Sequence, residues 1–144
     1  MCEFRRLHTE DLDMVMRMNE TFRSGFADRV AAGRFLKNER NWLYAAVCGL
    51  NVVGFAYGGV LHRLDGKEDM LYIHEVGVAG PQRRRGIGFS MMSALLQDAG
   101  RVGIGKVFLF TDQHNVAANA LYRKLGGAVA HDSGGQDTVY FFQL

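Results

Sequence analysis

The chain is predicted to fold as one mixed α/β (α+β) domain, and three observations lead to that prediction. It has 144 residues, of which 48% are apolar, enough for one domain with a substantial core. Strand-like and helix-like runs follow one another as strand, one or two helices, three strands, helix, strand, helix, two strands. No repeat, linker or low-complexity segment interrupts this order. We therefore expect a mixed sheet of about six to seven strands flanked by about four helices over residues 1–144.

The first elements precede residue 42. Residues 3–7 form a short predicted strand, and Thr9 then stands before acidic residues, as at a helix N-terminus. The helix is predicted to end near Phe22, because its apolar residues recur at three to four positions and form one buried stripe. These residues are Leu12, Val15, Met16 and Met18. Residues 24–41 indicate a loop and a short second helix.

The remaining elements alternate more regularly. Residues 42–48 and 52–61 are strand-like, and three residues between them permit only an antiparallel hairpin. The third apolar run, 70–78, is rich in β-branched and aromatic residues and leads into an arginine-rich turn. A helix over 88–101, a strand over 106–111 and a helix over 115–127 follow. The segments 128–132 and 138–144 are predicted to close the chain as a hairpin.

Charge and cysteine content exclude several classes of protein. The net charge of +2 with a pI near 8.7 does not indicate a general nucleic-acid binder, so any anion site is local. Cys2 and Cys48 are isolated, and neither a disulfide framework nor a zinc site follows from them. We expect a reducing, cytoplasmic setting. The N-terminus lacks a signal-peptide core and no run has the length of a membrane helix, which predicts a soluble, unprocessed protein.

The turn VAGPQRRRGIG, residues 78–88, suggests an anion site. A strand that ends in a glycine-rich turn and opens a helix leaves backbone N–H groups directed at one spot, where the helix dipole also favours negative charge. Gly86 and Gly88 allow close approach, and Arg83, Arg84 and Arg85 add charge. A polyphosphate would fit such a turn. The alternative is a solvated basic turn without a ligand.

Two common nucleotide motifs do not fit this turn. The dinucleotide fingerprint GxGxxG requires a third glycine where Met91 stands. A phosphate-binding loop of the GxxxxGK type requires another glycine spacing and a lysine where Ile87 stands. The turn therefore indicates neither a Rossmann site nor a P-loop.

Residues 75–96, EVGVAGPQRRRGIGFSMMSALL, resemble the acyl-CoA-binding segment of the GCN5-related N-acetyltransferases. That segment is a strand followed by Gln or Arg, two residues, Gly, one residue, and Gly or Ala, and Arg83, Gly86 and Gly88 occupy these positions. Residues 115–127, NVAANALYRKLGG, resemble the second landmark of the family. The stretches LYIHEVGV and FTDQHNVAANALYRKLG are most similar to the type I aminoglycoside 3-N-acetyltransferases, whereas the N-terminal third matches only around GFAD at 25–28.

The resemblance implies acetyl-CoA as cosubstrate. Strand backbone at 76–78 would pair with the pantetheine arm, the arginine turn would hold the pyrophosphate, and the asparagines of the second landmark would contact pantetheine or phosphates. The implied cofactor-binding residues are Val76, Gly77, Val78, Arg83, Arg84, Arg85, Gly86, Ile87, Gly88, Phe89, Ser90, Asn115, Ala118 and Asn119.

Acetyl transfer to an amine needs a base, stabilisation of the thioester oxygen and a proton for the departing thiolate. The resemblance places Glu75 beside the acceptor amine as the first candidate for general base, with Asp112 as its competitor. Either acid could instead bind a cationic substrate or cap the following helix. Tyr122 matches the family tyrosine that faces the CoA sulfur as general acid. Cys48, in a predicted core strand without a paired base, is interpreted as a buried structural thiol.

The predicted acceptor is a primary amine, first an aminoglycoside at its 3-amino group, attacked directly in a ternary complex. Asp28, Glu75 and Asp112 are the predicted acceptor-binding residues. Acids expected in or beside the acceptor cleft would attract a polycation, or are ordinary solvated loop acids. They are Asp28, Asp65, Glu68, Asp69, Glu75, Asp112, Asp132 and Asp137.

Other interpretations remain open. The acceptor could be a polyamine, an amino-acid-like metabolite or a protein amine, or the chain could be a CoA-binding regulatory domain without chemistry. His74 and His114 each adjoin an acid, but their spacing fits no metal site, so no metal is expected. Neither nucleic acid nor membrane is an expected partner. The apolar terminal strand 139–144 could pair or pack across a homodimer interface.

Overall fold

The computed structural model describes residues 1–83, 85–130 and 136–144, and within them seven strands form one mixed sheet. The strands are β1 (Cys2–Arg6), β2 (Asn41–Cys48), β3 (Asn51–Leu61), β4 (Met70–Val78), β5 (Lys106–Asp112), β6 (Ala128–Val129) and β7 (Asp137–Gln143). The α-helices among these residues are α1 (Leu12–Thr21), α2 (Arg29–Lys37), α3 (Ile87–Arg101) and α4 (Val116–Lys124). The predicted fold class and element order are confirmed.

The strand order is β1-β2-β3-β4-β5-β7-β6. Strands β1 to β4 pair antiparallel, β4 pairs parallel with β5, and β7 lies antiparallel between β5 and β6. A parallel pair needs a crossover connection, and here α3 supplies it. The predicted hairpin between β2 and β3 is present, with Gly49 in its turn at φ 65°.

The sheet separates two hydrophobic cores. On one face α3 and α4 cover a core that includes Leu71, Met91, Leu95, Val107 and Tyr122. On the other face α1 and α2 cover a second core that includes Val15, Met18, Leu36, Leu43 and Phe55. Alternate residues of one strand therefore reach different cores, as the period of two in a strand requires.

The start of α1 differs from the prediction by one turn. Thr9–Asp11 form a 3-10 turn, and the helix begins at Leu12. The Asp11 carboxylate accepts hydrogen bonds from the His8 N–H at 2.8 Å and from both Arg5 Nη atoms at 3.1 Å. This acid therefore ties the entry of α1 to β1, where the sequence suggested only a favourable charge near a helix terminus.

The prediction that Cys2 and Cys48 are isolated was wrong. They lie opposite each other on the antiparallel strands β1 and β2, and a disulfide joins them. Spacing along the chain gave no sign of this bond, because the register of β1 against β2 brings together residues 46 positions apart. Cys48 is thus a bonded half-cystine and not a free buried thiol.

Two further findings concern membrane-spanning helices and the terminal strand β7. Within the described residues, no helix combines the length and apolar character that crossing a membrane requires. Strand β7 pairs with β5 along Asp137–Gln143 and with β6 at Tyr140 and Phe141. Both edges of β7 are thus engaged at these two residues, so the predicted dimer could not form there by strand pairing; packing across its face stays a prediction.

Candidate active site

A gap opens between the neighbouring strands β4 and β5. The two strands pair only over Met70–Ile73 and Lys106–Leu109. Beyond that point β4 continues to Val78 paired with β3, while β5 continues to Asp112 paired with β7. We call the space between residues 75–78 and residues 110–112 the β4–β5 gap. A parallel pair that separates in this way leaves backbone hydrogen-bonding groups available for a ligand.

A β-bulge lies where the strands separate. The pairing of β3 with β4 shifts between Tyr57 and Gly58, so His74 has no partner residue on β3. A Cβ atom on Gly58 would overlap the carbonyl group of Tyr72, and only glycine permits this close approach. A bulge bends its strand and increases its twist, which accounts for the departure of β4 from β5 directly afterwards.

The hydrogen-bond pattern shows which backbone groups of β4 face the gap. The Ala79 N–H donates to the Val53 carbonyl at 2.8 Å, and antiparallel pairs alternate between bonded and non-bonded positions. Gly77 and Glu75 therefore direct their backbone groups at β3, and Val76 and Val78 direct theirs into the gap. The structure thus supports backbone roles for Val76 and Val78 toward a ligand, whereas the sheet occupies the backbone of Gly77.

The turn after β4 is built as an anion site requires. Gly86 has the left-handed conformation, with φ 79°, and α3 starts at the next residue. The Ser90 N–H donates to the Gly86 carbonyl at 3.0 Å, so the preceding N–H groups of Ile87, Gly88 and Phe89 belong to the open N-terminus of the helix. A Cβ on Gly88 would make only ordinary contacts, at 3.5 Å from Leu121 and Val78. Packing therefore does not require glycine at position 88.

The side chains of the turn surround this helix start. Arg83 donates from Nε to the Val78 carbonyl at 3.1 Å and so spans the end of the gap. Arg85 and Ser90 are exposed, Ile87 packs on the core, and Lys124 lies over the Phe89 ring at 4.6 Å. Arg84 lies outside the described residues.

Exposed guanidinium groups and open helical N–H groups are the donors that a pyrophosphate needs, so the residues fit the phosphates of acetyl-CoA.

Glu75 lies on the face of the sheet that α1 and α2 cover. Its carboxylate accepts a hydrogen bond from the Tyr57 hydroxyl at 3.4 Å and lies 3.6 Å from Nη2 of Arg23. Burial and the charge of Glu75 raise the pKa of Tyr57, so this hydroxyl stays protonated as a donor. The side chain of Glu75 is one third exposed. It is held in place by neighbours but remains open to a ligand.

Tyr122 lies on the opposite face, in the core beneath α3 and α4. Only 5% of its surface is exposed, and its ring lies 5.4 Å from that of Tyr140. Burial, with a smaller contribution from Tyr140, raises the pKa of the Tyr122 phenol to about 12. The group is therefore a protonated hydroxyl at neutral pH. Glu75 and Tyr122 therefore lie on opposite faces of the sheet.

Asp112 and Asn115 organise the turn that leads from β5 into α4. The Asp112 carboxylate accepts from the His114 N–H at 2.7 Å, and the Asn115 side chain accepts from the Ala118 N–H at 3.0 Å. Both interactions satisfy backbone donors at or beside a helix N-terminus. The capping alternative considered for Asp112 thus has a direct structural counterpart, and its roles as base or acceptor ligand stay predictions.

Asn119 has internal partners for its side-chain amide. It is 6% exposed, and its Nδ2 donates to the carbonyls of Asp112 at 3.1 Å and Asn115 at 2.7 Å. Its Oδ1 accepts from the Tyr140 hydroxyl at 2.6 Å. The amide thus connects α4 to β5 and β7, and the structure gives no support to a contact of this side chain with pantetheine. Ala118 is half-buried and packs on the core.

The acidic residues of the loop before β4, namely Asp65, Glu68 and Asp69, do not gather around Glu75, contrary to expectation. Asp65 pairs with Arg63 at 2.6 Å, and Asp69 pairs with His62 at 2.8 Å. These acids precede β4, and Asp69 is six residues from Glu75, about 20 Å along an extended chain. Glu68 shares their loop, Asp137 lies opposite Asp112 in the sheet, and Asp132 lies outside the described residues. Sequence proximity to loops was a poor guide, because those loops lie at different ends of the sheet.

Asp28, the third predicted acceptor ligand, caps α2 through the Val30 N–H at 3.1 Å. It also lines a cavity beside α1 and α2 together with Arg23 and Tyr57. Sequence reasoning missed Arg23 and Tyr57, although both contact Glu75. The histidines form no cluster: within the described residues, the structure brings together no three His, Cys, Asp or Glu side chains that could hold a metal ion. His74 instead hydrogen-bonds the Tyr72 hydroxyl at 3.2 Å.

Comparison with protein families gives one broad match. Residues 5–127 match the model of the Acetyltransferase (GNAT) family. Among curated proteins, GCN5-related N-acetyltransferase 7, chloroplastic, of Arabidopsis thaliana is 28% identical over 105 residues, or 73% of this chain. The matched region spans 35% of that relative's length.

Solved structures share the fold at lower sequence identity. An aminoglycoside acetyltransferase from an uncultured soil metagenomic sample, in complex with trehalose, superposes with a TM-score of 0.82 at 20% identity and covers 93% of each chain. Arabidopsis thaliana NAA60 in complex with acetyl-CoA has a TM-score of 0.76 at 16% identity, covering 100% of this chain and 99% of the other. At these identities the likeness concerns the fold.

Proposed function

Because the chain belongs to the Acetyltransferase (GNAT) family, we propose that it transfers an acetyl group from acetyl-CoA to a primary amine in a ternary complex. The observation that carries this proposal is the β4–β5 gap with its two flanks. Backbone groups of Val76 and Val78 face the gap, Glu75 lies on one face of the sheet and Tyr122 on the other. This arrangement lets two substrates meet through the sheet from opposite sides.

The donor side holds its substrate mainly through backbone. Acetyl-CoA supplies the activated acyl group as a thioester. The residues of this chain that would hold it are Val76 and Val78 for the pantetheine arm, and Arg83, Gly86 and Gly88 for the pyrophosphate. The Val76 N–H, directed into the gap, would donate to the thioester oxygen and stabilise the charge that develops there.

Glu75 is the proposed general base. A primary ammonium group must lose a proton before it can attack, and a carboxylate can remove it directly or through a water molecule. Tyr57 and Arg23 orient the Glu75 carboxylate, which keeps one of its oxygens in a fixed direction. Asp112 is the alternative base, but its carboxylate is engaged by the His114 N–H.

Tyr122 is the proposed general acid. Its phenol is protonated at neutral pH because its pKa is raised to about 12, so it can donate a proton to the departing thiolate. Only 5% of the Tyr122 surface is exposed, so little water competes for its proton. The proton balance then closes, because the ammonium nitrogen loses two protons on becoming an amide. One goes to Glu75, and the other restores the Tyr122 phenol after it has protonated the sulfur.

Two observations bear on the acceptor, and they favour different classes of amine. The stretches 71–78 and 110–126 support an aminoglycoside, acetylated at its 3-amino group, through their resemblance to the type I 3-N-acetyltransferases. The guanidinium of Arg23, 3.6 Å from Glu75, favours the second class instead, namely an amine with fewer positive charges such as an amino-acid-like metabolite or a protein amine. A cation beside the base disfavours a polycationic acceptor.

Thiol release from acetyl-CoA tests the proposal. The purified chain is supplied with gentamicin in one reaction and with spermidine, a lysine peptide and simple primary amines in separate reactions. Release in any of them supports acetyl transfer, and the pattern identifies the acceptor class. If no reaction releases thiol while acetyl-CoA still binds in calorimetry, the chain is a CoA-binding domain without this activity and the proposal fails.

A further inference from the structure

A cavity of about 230 Å³ lies between α1, α2 and the sheet, on the Glu75 face. Its walls are largely apolar and include Met18, Phe26, Leu36 and Leu43. Two further lining residues, Arg23 and Tyr57, are the residues that contact the Glu75 carboxylate. The cavity therefore opens toward the proposed base, and we call it the α1–α2 cavity.

We propose that the α1–α2 cavity binds a compact apolar substituent of the acceptor, so that the preferred substrate is an apolar primary amine and not a polycation. This inference rests on the proposed function. An amine bound at Glu75 would place its substituent beside Tyr57. Tyr57 lines the cavity, and the ring of Phe35, another lining residue, lies 5.7 Å from the ring of Tyr57. Apolar walls with few polar groups at the rim are typical of small-molecule sites.

The size of the cavity limits what it can hold. Pockets that enclose a whole drug-sized ligand measure about 300–1,000 Å³, so about 230 Å³ suits a single ring or branched aliphatic group. Alanines at 27, 31 and 32 line the α2 side and leave this space open. An aminoglycoside, with several polar rings, would have to leave most of its surface outside, and its hydroxyl groups would find few partners on the cavity walls.

The charges beside the cavity also favour an acceptor with a single positive charge. Glu75 matches one positive charge on the acceptor, but a second charge beside it would be repelled by the Arg23 guanidinium, which lies 3.6 Å from Glu75 and over the Phe26 ring at 5.1 Å. Asp28, the acid at the rim, already accepts from the Val30 N–H. The rim therefore suits a monoamine better than spermidine or gentamicin.

Filling the cavity tests the inference. Ala31 is exposed and lines the cavity, whereas its neighbour Val30 is 64% exposed and does not. Ala31→Phe and the matched control Val30→Phe are compared with the unsubstituted chain, using phenethylamine and ethanolamine as acceptors beside spermidine and gentamicin. Ala31→Leu serves if Ala31→Phe loses its cooperative thermal transition.

We expect kcat/KM for phenethylamine to exceed that for ethanolamine by at least about tenfold. Ala31→Phe should remove about tenfold from the phenethylamine value and leave ethanolamine nearly unchanged, while Val30→Phe alters neither. Equal efficiency for phenethylamine and ethanolamine, higher efficiency for spermidine or gentamicin, or equal behaviour of the two variants would overturn the inference while acetyl transfer stands.

Absence of thiol release with every amine would instead contradict the proposed function. The cavity is then tested by calorimetric binding of phenethylamine to the unsubstituted chain and to Ala31→Phe. Binding that Ala31→Phe weakens at least about tenfold supports an apolar subsite. No binding, or binding that the substitution leaves unchanged, overturns it.

Discussion

The groups that would bind acetyl-CoA on the donor side come from one continuous stretch of chain, whereas the acceptor side is assembled from three separate elements. On the donor side, residues 76–88 offer backbone groups and a helix start. On the acceptor side, Glu75 comes from β4, Tyr57 from β3 and Arg23 from the segment after α1. The first region is defined by local conformation and the second by contacts between distant side chains.

This difference fits the resemblance found in the sequence, which is clear over 75–96 and 115–127 but covers only 25–28 in the N-terminal third. Backbone N–H groups are the same for every residue, so a strand, a glycine turn and a helix start can bind a phosphate in many sequences. Side-chain pockets change with each substitution, and specificity is a difference between affinities. Residues 5–127, which include both sides of the gap, match the family model, and solved structures at 16–20% identity share the fold.

The largest expected effect comes from Glu75→Gln. Loss of the proposed base should lower kcat/KM about 100- to 10,000-fold, most at low pH, where the amine is chiefly protonated, and should leave acetyl-CoA binding unchanged. Thiol release across a pH series and acetyl-CoA titration measure both. Asp112→Asn is the matched control, and a larger loss in Asp112→Asn would assign the role of base to Asp112.

Tyr122→Phe should lower kcat about 100-fold with little change in the dissociation constant of acetyl-CoA. Because the pKa of Tyr122 is raised to about 12, its protonated, donating form persists as pH rises. The rate of the unsubstituted chain should therefore show no loss from this group up to about pH 10. Full activity of Tyr122→Phe would contradict the assigned role. So would a loss of rate that the unsubstituted chain shows below about pH 10 and that Tyr122→Phe does not show.

Arg83→Ala tests the binding of acetyl-CoA separately from that of the amine. Removing a guanidinium that lies at the end of the gap should raise the KM for acetyl-CoA about tenfold and leave the KM for the amine nearly unchanged. Initial rates measured by varying each substrate in turn separate the two constants. Arg29→Ala, which removes an exposed arginine on α2 paired with Asp13, is the control. A rise confined to the amine KM would show that the turn does not hold the pyrophosphate.

The smallest change is expected in stability, from the Asp11 carboxylate that anchors the start of α1. Burial alone would raise the pKa of Asp11, but hydrogen bonds from Arg5 and the His8 N–H outweigh it and hold this pKa below its usual value. The carboxylate therefore stabilises the fold above the unfolded pKa of about 3.9, and the contribution is lost as pH falls through the lower folded value.

Asp11→Asn should accordingly lower the free energy of unfolding by about 1 kcal/mol at neutral pH, a decrease in Tm of about 3 °C. The difference between the two chains should shrink in strongly acidic buffer. Thermal denaturation at several pH values measures it, and the KM for acetyl-CoA serves as the internal control. A Tm difference that does not depend on pH would mean that the ion pair is not its cause.

Much of the fold followed from the sequence because its signals are local. The stripe of α1, the short link between β2 and β3, and the glycine turn before α3 each depend on neighbouring residues, and the structure contains all three elements. In α1 the core takes Leu12, Val15 and Met18 as predicted, but Met14 in place of Met16. The start of α1 was placed one turn early, since Thr9 resembled a cap while the carboxylate that bonds the backbone there belongs to Asp11.

The order of strands and helices, the glycine turn and the family of the chain could be inferred from the sequence, since each depends on residues close together in the chain. Only the tertiary structure decided what depends on register. The bulge opposite Gly58 sets which residues of β4 face Tyr57, the pairing of β1 with β2 joins Cys2 to Cys48, and the packing of α1 and α2 leaves the cavity beside Glu75. A shift of one residue moves every side chain of a strand to its other face, and no local pattern specifies that shift.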